Sequence, residues 1–193
     1  MLFRDYCDPA GRFALRELET EDAAGLELMD KVIFFPHLRH VLAPRKFLEV
    51  GIAAQSDEPR TLYFIGILSP DDRRHLIGIV GGILTDASAQ GSAQSLDVGY
   101  ALIPNFQKRG IAKSALLAFL AKALTPQVTE LTATVDPENL ASLRLLEACG
   151  FERSGLVQAS KYLGDPDNPA HYDGGILQLR PRIEYRVKAD RFR

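Results

Sequence analysis

The stretch Val98-Gly99-Tyr100-Ala101-Leu102-Ile103-Pro104-Asn105-Phe106-Gln107-Lys108-Arg109-Gly110-Ile111-Ala112 constrains this chain more than any other. An apolar, aromatic strand stops at a proline, a short basic turn containing Gly110 follows, and a helix pattern begins at once. A strand running into a helix N-terminus leaves backbone N–H groups pointing out of the turn. Those groups and the positive end of the helix dipole favour an anion, by about 0.3–1 kcal/mol at exposed sites and up to about 2 kcal/mol when partly buried. Lys108 and Arg109 add mobile positive charge at the same place. The turn reads as a phosphate site, suited to a pyrophosphate or a nucleotide-derived cofactor.

The surrounding pattern supplies a scaffold for such a turn. Alternation over Arg12 to Leu18 predicts a first strand. Thr20 is an N-cap candidate, with Glu21 and Asp22 in the first turn of a helix that runs to Phe35 before Pro36. A second helix is expected over His37 to Ala53, interrupted near Pro44. Thr61–Leu68 and His75–Leu84 read as strands joined by the proline and acidic turn Ser69–Asp72. The glycines Gly78, Gly81 and Gly82 have the wrong spacing for a dinucleotide fingerprint and no helix after them. They read as a bulge or as close packing. Ser95–Ile103 is a strand, Gly110–Leu124 a helix with Ile111, Ala115 and Phe119 on one stripe, and Glu130–Val135 a strand. Pro137–Cys149 is a helix closed by Gly150 at its C-cap. Strand returns from Phe151, a Gly/Pro/Asp/Asn-rich loop fills Gly164 to Gly175, and Ile176–Lys188 is the last strand. Helices between strands predict a mixed α+β sheet with helices on its faces, and the two crossovers around Glu130–Val135 predict local parallel pairing.

Length and charge narrow the function classes. A chain of 193 residues suits one domain with one core, and 46% hydrophobic and 25% charged residues are ordinary for a globular protein. A net charge of −2 gives no global attraction to nucleic acid or an anionic membrane. The basic C-terminal residues Arg180, Arg182, Arg186, Lys188, Arg191 and Arg193 read as a solvated strand face, broken by Glu184 and Asp190. The two cysteines, Cys7 and Cys149, are far apart and have no metal-ligand spacing. Cys149 lies in an apolar run and reads as a small core residue. No apolar run approaches the ~20 residues that span a bilayer, and Met1 to Tyr6 lacks the apolar core of a signal peptide. A cytoplasmic protein without metal, membrane or nucleic-acid partner is expected; homodimerisation is left open.

Two of these segments together resemble a family. Gln107-Lys108-Arg109-Gly110-Ile111-Ala112 is similar to the acetyl-CoA signature Q/R-x-x-G-x-G/A of the GNAT N-acetyltransferases, and Asp97–Pro104 is similar to the strand that precedes it there. Asn139, Ser142, Glu147, Gly150 and Phe151 match the second motif, N-x-x-S-x-x-x-x-E-x-x-G-F, about 30 residues on. The order of elements follows the family from about Phe13 to Lys188. The Asn-to-Ser spacing looks most like the branch containing the ribosomal-protein alanine N-acetyltransferases, which also holds acetyltransferases for small amines.

The resemblance implies a splayed sheet of about seven strands flanked by helices, one domain over 1–193 with a core of about 12–188, and acetyl-CoA as donor. It implies that the pyrophosphate lies on the turn Gln107, Lys108, Arg109, Gly110, Ile111 and Ala112, where Gly110 has no side chain to keep phosphates away. It implies that the pantetheine arm bonds to backbone groups of Ala101, Leu102 and Ile103 and to Asn139. An amine of pKa ~10.4 is neutral in only about one molecule in 2,500 at pH 7, so attack benefits from a base. Asp97, at the family's acidic strand-start position, is that candidate. Many relatives protonate the leaving thiolate with a tyrosine seven residues after the asparagine; here that residue is Leu146, which cannot donate. Ser142 matches the serine proposed in the ribosomal-protein branch and is the candidate acid. The acceptor is a primary amine, on a protein N-terminus or a small molecule. A catalytically silent CoA-binding module of the same fold is the alternative. Acceptor-side candidates are Phe34, Phe35, His37 and His40 in the early helices and Tyr162, His171, Tyr172, Asp165, Asp167 and Asp173 in the late loop.

Overall fold

The computed structural model describes residues 3, 6–29, 44–72, 74–86, 93–163 and 176–193, with the backbone alone at 159–163 and 176–180. The chain order is β1 (Tyr6–Cys7), β2 (Ala14–Glu17), α1 (Ala23–Met29), α2 (Pro44–Ala53), β3 (Leu62–Leu68), β4 (Leu76–Asp86), β5 (Gln94–Leu102), α3 (Ile111–Ala123), β6 (Val128–Val135), α4 (Leu140–Cys149), β7 (Glu152–Leu163) and β8 (Ile176–Lys188). The strands form one sheet in the order β1-β2-β3-β4-β5-β6-β8-β7. The seven expected strands are all there. The eighth, β1, is a two-residue edge pairing with Ala14 and Leu15, too short to leave a periodic signal. Of the two early helices, α1 and α2 are described; Phe34 to His40 lie outside the described residues, as do Asp165, Asp167, His171, Asp173, Tyr172 and the side chain of Tyr162.

Neighbouring residues of β3 show how the two faces are covered, because successive strand side chains point to opposite sides. Tyr63 meets Phe119 of α3 edge-on at 5.9 Å, and Phe64 stacks on Phe47 of α2 at 4.0 Å. So α3 packs on one face and α2 on the other. Helix α4 joins α3, where Lys113 donates to the Ala148 carbonyl at 3.0 Å. The α3 stripe Ile111, Ala115 and Phe119 is fully buried, as its spacing predicted, and Leu116 and Leu120 beside it are fully buried too. Helix α4 ends at Gly150 in the left-handed region, φ 87°, with its N–H returned to the last helical turn. Its outer edge is tied to β8 by Tyr185, which donates to Glu147 at 2.9 Å and accepts from Arg153 at 3.0 Å.

The glycines of β4 mark close packing. A Cβ at Gly81 would run into the Tyr63 carbonyl, and one at Gly82 would sit 2.8 Å from Leu96 Cδ1. Glu17, at an inward position of β2, is buried with Arg60, which grips both carboxylate oxygens at 2.9 Å. Cys149 is a buried core residue, and burial pushes its thiol up. The basic C-terminal segment is not simply a solvated face. Arg191 donates to the Gly150 carbonyl at 3.1 Å, Arg193 to the Thr125 and Val128 carbonyls, and Arg186 pairs with Glu130 and Glu184.

The sheet opens in the middle. β5 and β6 run parallel, as the first crossover predicted, but pair only from Gln94↔Val128 to Asp97↔Thr132; the second crossover gives no parallel pair, because β8 inserts antiparallel between β6 and β7. Val98 to Leu102 stay paired with β4 and, among the described residues, have no strand partner on the β6 side. The other edge of β6 is held by β8 from Glu130↔Lys188 to Val135↔Ile183.

Candidate active site

The divergence of β5 and β6 makes a cleft of about 210 Å³. It is walled by Phe47 and Phe64 on one side and lined by Asp97, Tyr100, Asn139, Ser142, Leu146 and Arg182. Thus the two catalytic candidates, Asp97 and Ser142, share one cavity with Asn139. The C-terminal end of β5 leads from this cavity into the basic turn.

In the turn, Pro104–Phe106 forms a single 3-10 turn after β5, and Gln107 Nε2 donates to the Leu102 carbonyl at 2.8 Å, folding the turn back on its strand. Gln107 therefore shapes the loop. Lys108 has φ 59° and Gly110 φ 73°, two left-handed residues that reverse the chain before α3. Among the described residues, no backbone carbonyl accepts from the N–H groups of Lys108 to Lys113 outside the helix. These groups are the unsatisfied donors expected at a helix N-terminus. Arg109 lies over the Phe106 ring at 5.4 Å, and Ile111 is buried, so Ile111 offers the site only its backbone.

Arg12 stands behind this turn. Buried Asp8 binds it through two oxygens, at 2.7 and 3.0 Å, and it donates to Ser114 Oγ at 2.7 Å and to the Arg109 carbonyl at 3.5 Å. The Arg12 guanidinium holds the Asp8 carboxyl below its usual range. No local motif links Arg12 to a turn almost a hundred residues away, so sequence reading missed it.

On the β5 edge the three expected backbone residues divide. The Ile103 N–H donates to the Ile77 carbonyl of β4 at 2.9 Å, and antiparallel alternation turns Ala101 the same way. Only Leu102 among the three presents its backbone toward the open side. The expectation that Ala101 and Ile103 face a ligand is corrected by this register.

Asn139 caps α4: its Oδ1 accepts from the Ser142 N–H at 3.2 Å. Its carboxamide oxygen is engaged there. Leu146 is fully buried and closes the cleft floor with hydrocarbon. Tyr100 is a second hydroxyl that the motif comparison passed over; it donates to the Ser142 carbonyl at 3.4 Å, and burial raises its pKa far above the ordinary phenol value. Tyr100 stays protonated at any working pH.

Asp97 is half-buried. Burial raises its carboxyl, and Glu184 adds to this; the hydrogen bond from Thr132 Oγ1 at 3.0 Å and the charge of Arg182 oppose it. The net effect is a more basic carboxylate than one in water, which suits proton removal. Arg182 reaches the cleft from β8. Burial lowers its pKa against the pull of Asp136 and Asp97, and its Nε is buried without a hydrogen-bond partner among the described residues. Such an unmatched donor costs about 1–3 kcal/mol. Among the described residues no group of His, Cys, Asp and Glu is arranged to hold a metal ion, and no helix is long and apolar enough to cross a membrane.

Residues 12–152, well over half of the chain, match the family model of the acetyltransferase (GNAT) domain. The chain belongs to the GNAT acetyltransferase family. Members of this family take an acetyl group from acetyl-CoA, so the protein is an acetyl-CoA-dependent acetyltransferase that needs no metal. No curated protein sequence matches it. Solved structures share its fold at low identity. The ribosomal-protein-S5-alanine acetyltransferase from Vibrio fischeri is 16% identical with a TM-score of 0.71, over 98% of this chain and 99% of that one. Mycobacterium smegmatis RimJ, in complex with CoA-disulfide, is 22% identical with a TM-score of 0.69, over 97% and 87%. Arabidopsis thaliana NAA60, in complex with acetyl-CoA, is 17% identical with a TM-score of 0.67, over 92% and 99%.

Proposed function

We propose that this GNAT protein transfers the acetyl group of acetyl-CoA directly to a primary amine in the cleft between β5 and β6. The observation that carries the reading is the end of β5–β6 pairing at Asp97↔Thr132. At that rung a carboxylate of raised basicity, an open strand edge and the serine of α4 border one cavity.

In this reading the N–H groups from Lys108 to Ala112, with the side chains of Lys108 and Arg109, hold the CoA pyrophosphate, and Arg12 holds the turn in shape. The Leu102 N–H and the Asn139 carboxamide N–H bind the pantetheine arm, and a strand N–H near Leu102 polarises the thioester carbonyl. Asp97 takes a proton from the acceptor ammonium, directly or through one water. The amine nitrogen attacks the thioester carbon and a C–N bond forms; as the C–S bond breaks, the nitrogen gives up its second surplus proton to solvent. The Ser142 hydroxyl gives a proton to the departing thiolate and is reprotonated from solvent. Leu146 keeps the floor of the reaction space free of a competing donor.

The acceptor is either a protein N-terminus or a small-molecule amine. An acetylation screen over N-terminal peptides, polyamines, amino acids and aminoglycosides, read by mass spectrometry, tests the reading. Amine-dependent acetylation supports it. Tight CoA binding with no acetylated product on any amine would instead identify a silent CoA-binding module.

A further inference from the structure

Among the described residues, the cleft holds one charged group that acetyl transfer itself does not use. Arg182 enters from β8 one residue beyond the last β6–β8 pair, Val135↔Ile183. Its Nε is buried with no hydrogen-bond partner among the described residues. A guanidinium carries its charge at every working pH and presents its N–H groups in a rigid planar fork. A buried, unmatched N–H of that fork is best satisfied by an anionic oxygen, because charge-assisted bonds to carboxylates are the strong ones.

The same cavity contains the opposite charge, Asp97, and an apolar wall, the stacked Phe47 and Phe64 rings 4.0 Å apart. A purely cationic acceptor, such as a polyamine, would set a second positive charge against Arg182 at close range. A small zwitterion matches all three features: an ammonium for Asp97, a carboxylate for Arg182 and an apolar side chain for the aromatic wall.

We infer that Arg182 is an acceptor-carboxylate site, and that the acceptor is a free amino acid with an apolar side chain. The inference rests on the acetyl-transfer reading above and specifies the acceptor of that same site. It makes Arg182 a specificity residue that acts on the acceptor and not on the donor.

The test compares kcat/KM for phenylalanine, phenylalaninamide and phenethylamine at saturating acetyl-CoA, in the wild type, Arg182→Gln and Arg182→Lys. The three amines differ at the group Arg182 would hold. Their amines also differ in proton affinity, but that difference cancels when one acceptor ratio is compared between enzyme forms. The phenylalanine-to-phenylalaninamide ratio is expected to fall by roughly tenfold to a hundredfold in Arg182→Gln, the range for a lost hydrogen bond to a charged group. Arg182→Lys, which keeps the charge but loses the Nε position, should fall between. Calorimetric CoA affinity reports that each variant is folded; if Arg182→Gln does not bind CoA, Arg182→Lys carries the same comparison. An acceptor ratio unchanged by either substitution overturns the carboxylate site and leaves acetyl transfer standing. Acetylation confined to amines without a carboxylate does the same. No amine-dependent release of CoA thiol with any acceptor overturns both.

Discussion

Asp97 and Thr132 form the last rung between β5 and β6, and the Thr132 hydroxyl donates to Asp97 Oδ1 at 3.0 Å. The point at which the sheet opens is therefore also the point at which the cleft receives its carboxylate. A carboxyl raised by burial is more stable protonated in the folded chain than in the unfolded one. The sign of its linkage follows. The stabilising contribution is full at low pH, below the unfolded value, and is lost as pH rises through the raised folded value.

Asp97→Asn should accordingly leave the protein as stable as the wild type or more so at neutral pH. The amide keeps an acceptor for Thr132 and removes the cost of an ionised, half-buried carboxyl. Thermal melts of the two proteins should differ most near pH 8 and converge near pH 4. A variant that melts below the wild type at pH 8 would show that the carboxylate is held by partners stronger than the burial that opposes it.

Gly110→Glu should abolish CoA binding. The position has φ 73°, which disfavours any side chain, and a Cβ there would lie 3.2 Å from Arg12 Nη1. The glutamate carboxylate would reach the N–H groups proposed to hold phosphate and would compete for Arg12. Arg12→Gln should weaken CoA more mildly, by roughly tenfold, since it removes charge-assisted bonds behind the turn and leaves the turn's own donors. Calorimetry with CoA measures both; wild-type affinity in Gly110→Glu would remove the turn from the donor site.

Ser142→Ala and Tyr100→Phe separate the two hydroxyls of the cleft. If Ser142 protonates the thiolate, its loss should lower kcat by about 10²–10⁴-fold with little change in CoA affinity. Tyr100, whose proton is held more tightly by burial, should cost no more than about tenfold, through its bond to the Ser142 carbonyl. Single-turnover rates of CoA thiol release check this order. The reverse order would assign the acid to Tyr100.

The sequence carried the frame because its signals were local and periodic. Ile111 to Phe119 spaced a buried stripe, Gly150 ended a helix, and Asp97 and Ser142 stood at fixed offsets in two motifs; the fold brings these two into one cavity. What stayed hidden depends on register and on distant partners. Alternation cannot say that Ile103 faces Ile77 while Leu102 faces the open edge, since that follows from which strand lies beside β5. Arg12 meets Ser114 across the fold. Arg182 looked like one more solvated base in a basic segment, and only the end of β6–β8 pairing at Val135 places it in the cleft. Edge strand β1, two residues long, has no period to detect.

The proposed role of the carboxylate at the opening of the sheet is to serve transfer of acetyl to an amine. It is tested most directly by amine-dependent release of CoA thiol from acetyl-CoA by the wild type and Asp97→Asn, with acetyl-CoA affinity measured on the same samples. Asp97→Asn should bind acetyl-CoA as the wild type does and turn over about 10²–10⁴-fold more slowly near neutral pH, with the gap narrowing as the amine deprotonates at high pH. An Asp97→Asn enzyme that turns over at the wild-type rate near neutral pH would contradict it.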